Sequence, residues 1–142
     1  MSFIRWAQNR DLQENMSNNN YTSDMPIQDK IEQYRKLARE YYQHAEISSV
    51  GNPAIFSYIH SVELLLKLKI LEQTGEMPLE LEKSHDLSKF MKLLGIYDNE
   101  MAPLAEIDPF MVRFRYPGKH VDNESSYKMV KDISRKLWRK FG

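Results

Sequence analysis

Two residues of the segment RFRYPGKH, residues 113–120, have side chains suited to phosphate chemistry: Arg115 and His120. A guanidinium carries a permanent charge and a planar fork of donors that fits phosphate oxygens. An imidazole exchanges a proton near neutral pH. Together they suffice for metal-free cleavage of RNA: the histidine takes the proton from the 2′-hydroxyl or gives one to the departing 5′-oxygen, and the arginine holds the charge developing at phosphorus. One pair per chain supplies a single acid–base group where cleavage benefits from two, so this chemistry calls for a symmetric dimer that brings two copies together. Plainer roles fit the same residues. Arg115 can bind the last carbonyls of the preceding helix or a core carboxylate, and His120 can stand exposed in a loop.

A second group lies upstream, where Ser57, His60, Glu63 and Lys67 recur at spacings of three, three and four and so share one stripe of a helix. Glu63 precedes Lys67 by four residues, the favourable order for a helical ion pair, and a structural salt bridge is the simplest account. A functional version has Glu63 orient Arg115 or contact a ligand. A di-metal site needs repeated Glu-x-x-His units, and the stripe offers one reversed His-x-x-Glu, so no metal is expected. In SHDL, residues 84–87, His85 and Asp86 read as capping and dipole partners of a first turn.

These residues need elements to position them, and the pattern is helical throughout. Ile27, Ile31, Tyr34, Ala38, Tyr41 and Ala45 share one face of a first helix that ends near SSVGNP. Pro53 opens a second helix running to about Gln73. Ile55, Tyr58, Ile59, Val62, Leu65, Leu66 and Leu71 cover one side of it, and Leu64, Leu68 and Ile70 spread around it, as expected of the central helix of a bundle. TGEMP breaks it, and Ser84 is placed to cap a third helix with Leu87, Phe90, Met91 and Leu94 inward and Gly95 as its stop. Pro103 starts a fourth, bearing Leu104, Ile107, Phe110, Met111 and Phe114, with Pro109 predicting a kink or a break and Pro117-Gly118 the end. Asp122 or Asn123 caps a fifth, with Tyr127, Val130, Ile133, Leu137 and Phe141 inward. No segment alternates like a strand, so the expected fold is all-α, an antiparallel bundle of four to five helices over residues 27–142. Residues 1–26 read as an N-terminal arm or linker, ending in the low-complexity run MSNNNYTSDMP.

The composition excludes several classes. The 142 residues include no cysteine, which removes disulfides, thiolate zinc sites and cysteine nucleophiles. No apolar run reaches the roughly 18 residues that span a bilayer, and the N-terminus lacks the pattern of a secretory signal, so a cytoplasmic protein without membrane contact is expected. No phosphate-binding loop, dinucleotide fingerprint, hydrolase elbow or zinc signature occurs, and no cofactor is expected. The net charge is zero, but its signs are segregated. Residues 113–142 carry 9 Lys/Arg against 3 Asp/Glu, and residues 1–112 carry 11 against 17. The basic end is either a solvated face pairing with acidic neighbours or a surface that meets phosphate.

The order of these pieces resembles the HEPN domain family: a central helix reading YIHSVELLLKLKILEQTG, then HDLSKFMKLLG, then an aromatic-rich helix running into RYP, then a long terminal helix. The likeness covers residues 27–142. It implies an HEPN-like helical domain that dimerises and acts on RNA or nucleotides. Catalytic members carry an R-x4-6-H motif and are metal-independent endoribonucleases, often toxins or defence effectors. Arg115 and His120 match that motif with four residues between them. Carried over, Arg115 contacts the scissile phosphate and His120 transfers the proton, with Arg113, Tyr116, Lys119, Glu63 and Lys67 as ligand-binding residues and an antitoxin as a partner. One position departs from the pattern. Cleaving members have a polar residue after the arginine, whereas Tyr116-Pro117 here is more like members that bind nucleotides, or accompany a nucleotidyltransferase, without cutting RNA.

Overall fold

The computed structural model describes residues 25–48, 52–107 and 123–142. Among them are six helices and no strand: α1 (Ile27–Ile47), α2 (Asn52–Thr74), α3 (Leu79–Lys83), α4 (Leu87–Leu93), α5 (Ala102–Ala105) and α6 (Asn123–Phe141). Residues 1–24 of the expected arm lie outside this description.

The two longest helices form a hairpin. Arg35 of α1 reaches Glu72 of α2, and Tyr42 and Glu46 meet Tyr58, so the helices run in opposite directions. α6 then lies against both. Its Trp138 meets Ser61 and its Phe141 meets Lys69 of α2, whereas Glu46 of α1 takes Arg135 and Tyr42 takes Trp138, which sets α6 parallel to α2 and antiparallel to α1. α4 packs on another side of α2, and α5 bridges α4 and α6.

With neighbours on several sides, α2 is buried almost all round, as its apolar pattern predicts. Ile55, Tyr58, Val62, Leu66 and Leu71 are fully enclosed. Ala38 and Ala45 of α1, Phe90 and Met91 of α4, Leu104 of α5 and Val130 and Leu137 of α6 complete the core around it. Ile27 departs from the expected inward face and is 39% exposed, because it is the first residue of α1.

Glycine ends two of these helices. Gly75 takes a φ of 76° after α2. Gly95 takes a φ of 73°, donating to the Lys92 carbonyl at 3.1 Å while Ile96 donates to Met91 at 2.9 Å, the paired bonds of a Schellman stop. A Cβ at Gly95 would meet nothing within 4 Å, so Gly95→Ala tests the backbone alone. A loss of about 1 kcal/mol in chemical denaturation is expected, the cost of a left-handed alanine. A variant as stable as wild type would mean that the helix stop does not need the glycine.

The connection between α2 and α4 differs from the sequence reading in two ways. TGEMP does break α2, but Pro78 then starts α3, a five-residue turn that buries Leu81 and Glu82. Ser84 does not cap α4. It ends α3 in an extended conformation, and Asp86 is the N-cap instead, its carboxylate accepting from the Lys89 amide at 3.3 Å and from the Ser88 hydroxyl at 2.7 Å. The helix expected from Pro103 is described as the four residues of α5, with Pro103 in its first turn; Phe110, Met111 and Phe114 lie outside the described residues.

Candidate functional site

The polar stripe of the central helix is inside the protein. Ser57, His60, Glu63 and Lys67 are each at most 5% exposed. Burying a carboxylate or an ammonium is costly unless each is paired and its remaining hydrogen-bonding capacity is used. Both conditions are met. Lys67 Nζ donates to Glu63 Oε2 at 3.0 Å and to the Glu82 carbonyl at 2.6 Å, and it lies 5.4 Å from the centre of the Phe90 ring. The second bond depends on α3, whose short turn brings the Glu82 carbonyl within reach of α2.

The other side of the Glu63 carboxylate is held by the corner between α3 and α4. His85 Nδ1 lies 3.1 Å from both Glu63 oxygens, and this side chain is only partly buried. His60 Nδ1 is 3.9 Å from Glu63 Oε1, ion-pair rather than hydrogen-bond distance, with its ring packed edge-on against Tyr41 at 4.4 Å and parallel to Phe56 at 5.9 Å. Tyr34 closes the group from α1. Its hydroxyl makes a long contact of 3.4 Å to Glu82 Oε2, and burial with the nearby Glu82 and Glu63 carboxylates pushes the phenol well above its ordinary range. It therefore stays a donor.

Electrostatics assign the charges. Burial pushes the Glu63 carboxyl up, but the Lys67 ammonium and then the two histidines outweigh it and hold Glu63 well below the usual carboxylate range. Burial pushes His60 below its ordinary value, and Glu63 pulls it back only in part. Glu63 is thus an ionised acceptor and His60 a neutral ring. Among the described residues no group of three or more metal-ligating side chains could hold an ion.

These shifts set the pH dependence of stability. A histidine depressed in the folded state takes a proton more readily when unfolded, so its contribution is present above the ordinary value of 6.5 and lost as pH falls below it. The depressed Glu63 acts in the same sense lower down, losing its contribution as pH falls from the ordinary 4.5 towards its folded value. Denaturant titrations between about pH 8 and about pH 5 should show stability falling below pH 6.5, at up to about 1.4 kcal/mol per pH unit for one group, with His60→Asn flattening that part of the curve. Stability independent of pH over this range would contradict the assignment of His60.

Of the residues selected from sequence, Glu63 and Lys67 are brought together, in the ion pair their spacing predicts. Arg113, Arg115, Tyr116, Lys119 and His120 lie outside the described residues. Of the two capping and dipole partners expected in SHDL, Asp86 does the capping, whereas His85 faces Glu63. Tyr34 is on the inward face that its spacing predicts, but its contact with Glu82, and Glu82 itself, have no signal in the sequence, because each joins the group from another helix. Compared with protein-family models, curated proteins and solved structures, the chain matches none.

Proposed function

We propose that this chain is an HEPN-type protein whose segment 113–120 binds RNA or a nucleotide and, paired with a second copy, cleaves RNA without a metal. The observation that carries this reading is the meeting of two motifs on which the family likeness rests. Glu63 and Lys67 are the ends of ELLLK, and His85 begins HDL. The two motifs lie 22 residues apart from Glu63 to His85 and share one buried hydrogen-bonded group. Glu63 and Lys67, buried and bonded to the Glu82 carbonyl and to His85, tie the central helix to the α3–α4 corner.

In the proposed reaction His120 of one copy takes the proton from the 2′-hydroxyl, the 2′-oxygen attacks phosphorus, and the bond to the 5′-oxygen breaks. His120 of the other copy gives that oxygen its proton. The products are a 2′,3′-cyclic phosphate and a 5′-hydroxyl end, and Arg115 stabilises the charge on phosphorus between them. Members of the resembled family that cut RNA in this way are often toxins or defence effectors, and an antitoxin is the partner this reading proposes.

Tyr116-Pro117 favours a second reading, a non-catalytic module that binds a nucleotide or serves as the accessory subunit of a nucleotidyltransferase. Titration of the purified protein with labelled single-stranded RNA and with mononucleotides at two salt concentrations separates these. RNA binding that weakens as salt rises supports the first. Tight mononucleotide binding with no affinity for RNA supports the second. Binding of neither contradicts both. Sedimentation adds a check, since a strict monomer rules out the paired site.

A further inference from the structure

The basic terminal helix is not uniformly available to a ligand. Between Lys128 and Lys140 it bears six lysines and arginines and one acid, Asp132. Three of those cations are ion-paired, while Lys131 and Lys140 lie over the rings of Tyr127 and Phe141 at 5.5 and 5.6 Å. Lys128 pairs with Asp132 at 3.0 Å, Arg135 grips Glu46 of α1 through Nε and Nη2 at 2.9 and 3.2 Å, and Lys136 pairs with Glu100. Lys131 and Arg139 make no ion pair with a described carboxylate. They stand four residues either side of Arg135, so the three cations form one straight ridge about 12 Å long.

That ridge borders the seam where α6 meets α1. Tyr42 stacks on Trp138 there, ring centres 4.7 Å apart, with its hydroxyl close enough to Arg135 and Arg139 to feel both charges. Arg39, one turn before Tyr42, is exposed. Among the described residues, two carboxylates lie near Lys131, Arg135 and Arg139: Glu46, already held by Arg135 and by the Tyr58 hydroxyl at 2.5 Å, and Asp132, already paired with Lys128. The result is a narrow positive line.

We infer that the α1–α6 seam, through Lys131 and Arg139 with Arg135 between them, carries the phosphates of a single-stranded RNA beyond those held at residues 113–120. The inference rests on the proposed RNA-binding function and extends it to a surface that the Arg-x4-His pair does not include. A linear row of cations matches a linear polyanion, whose affinity comes from phosphate contacts along its length. A membrane is a poorer fit. A helix that lies on a bilayer inserts an apolar face, and the apolar face of α6, with Val130, Ile133 and Leu137, is spent against the core. In the sequence, α6 begins three residues after His120.

Binding of a 2′-O-methyl oligouridylate, which cannot be cut, tests this by fluorescence anisotropy across a salt series. Lys131→Gln/Arg139→Gln is expected to weaken binding roughly tenfold and to lower the salt slope by about 1.4, the share of two phosphates on a single strand. If the double variant binds the long oligomer like wild type while Arg115→Ala does not, the seam is overturned and the RNA function stands. If wild type binds no RNA at any salt, the function and the seam fall together. Binding to phosphatidylserine vesicles without binding to the oligomer would assign the ridge to a membrane surface and overturn the inference.

Discussion

Lys67→Met is expected to destabilise the domain by about 3–5 kcal/mol, the usual cost of removing one partner from a buried ion pair. Lys67 is 2% exposed and Glu63 is 4% exposed, so no water replaces the ammonium once it is gone. The carboxylate keeps His85 and loses its strongest stabilising charge. The Glu82 carbonyl loses a 2.6 Å donor, which also frees α3 from α2. A domain of this size has a total stability of about 5–15 kcal/mol, so the variant stands near the edge of folding. The companion variant Glu63→Gln/Lys67→Met replaces both charges with groups of similar volume and should recover much of the loss, because the penalty lies in the stranded charge rather than in the missing contact. Urea denaturation of wild type, Glu63→Gln, Lys67→Met and the double variant gives the coupling. A loss below about 1 kcal/mol for Lys67→Met would mean that the pair does not hold the bundle together.

How much of this was legible in the sequence depended on whether the cause was local. The all-round apolar pattern of α2 placed it at the centre, and Glu63 and Lys67 four residues apart announced their own ion pair. Gly95 announced a helix end because few other residues take a positive φ without strain. α3 was missed because five residues after Pro78 are too short to display a helical period. That omission displaced the cap. Ser84 and Asp86 are both good capping residues, and Asp86 takes the role because Ser84 is already the end of α3. His85 was misread for a different reason. Its partner is 22 residues away, and a contact between helices leaves no trace in the spacing along one of them. The charge of α6 was visible, but only the ion pairs of Arg135 and Lys136 with Glu46 and Glu100 separate engaged cations from available ones.

The second large effect is on chemistry. Under the proposed mechanism His120→Ala removes both the general base and the general acid of the paired site, since each copy supplies one, and the cleavage rate should drop by about 10²–10⁴-fold for each proton transfer lost. RNA binding should fall less than the rate does, because the permanent charge that meets the phosphate belongs to Arg115. Arg115→Ala should lose rate and affinity together, since the guanidinium meets the phosphate in both the bound and the reacting state. Arg115→Lys keeps the charge and loses the planar fork, so it should recover binding better than rate. This split between binding and turnover distinguishes catalytic side chains from residues with a purely structural role.

The central claim, metal-free RNA cleavage by the Arg115 and His120 pair, is tested most directly by incubating the purified protein with total RNA in excess chelator beside Arg115→Ala and His120→Ala. The account predicts that wild type cuts, leaving 2′,3′-cyclic phosphate ends, and that neither variant does while both stay folded. Equal cutting by all three proteins, or cutting that stops when the chelator is added, would contradict it.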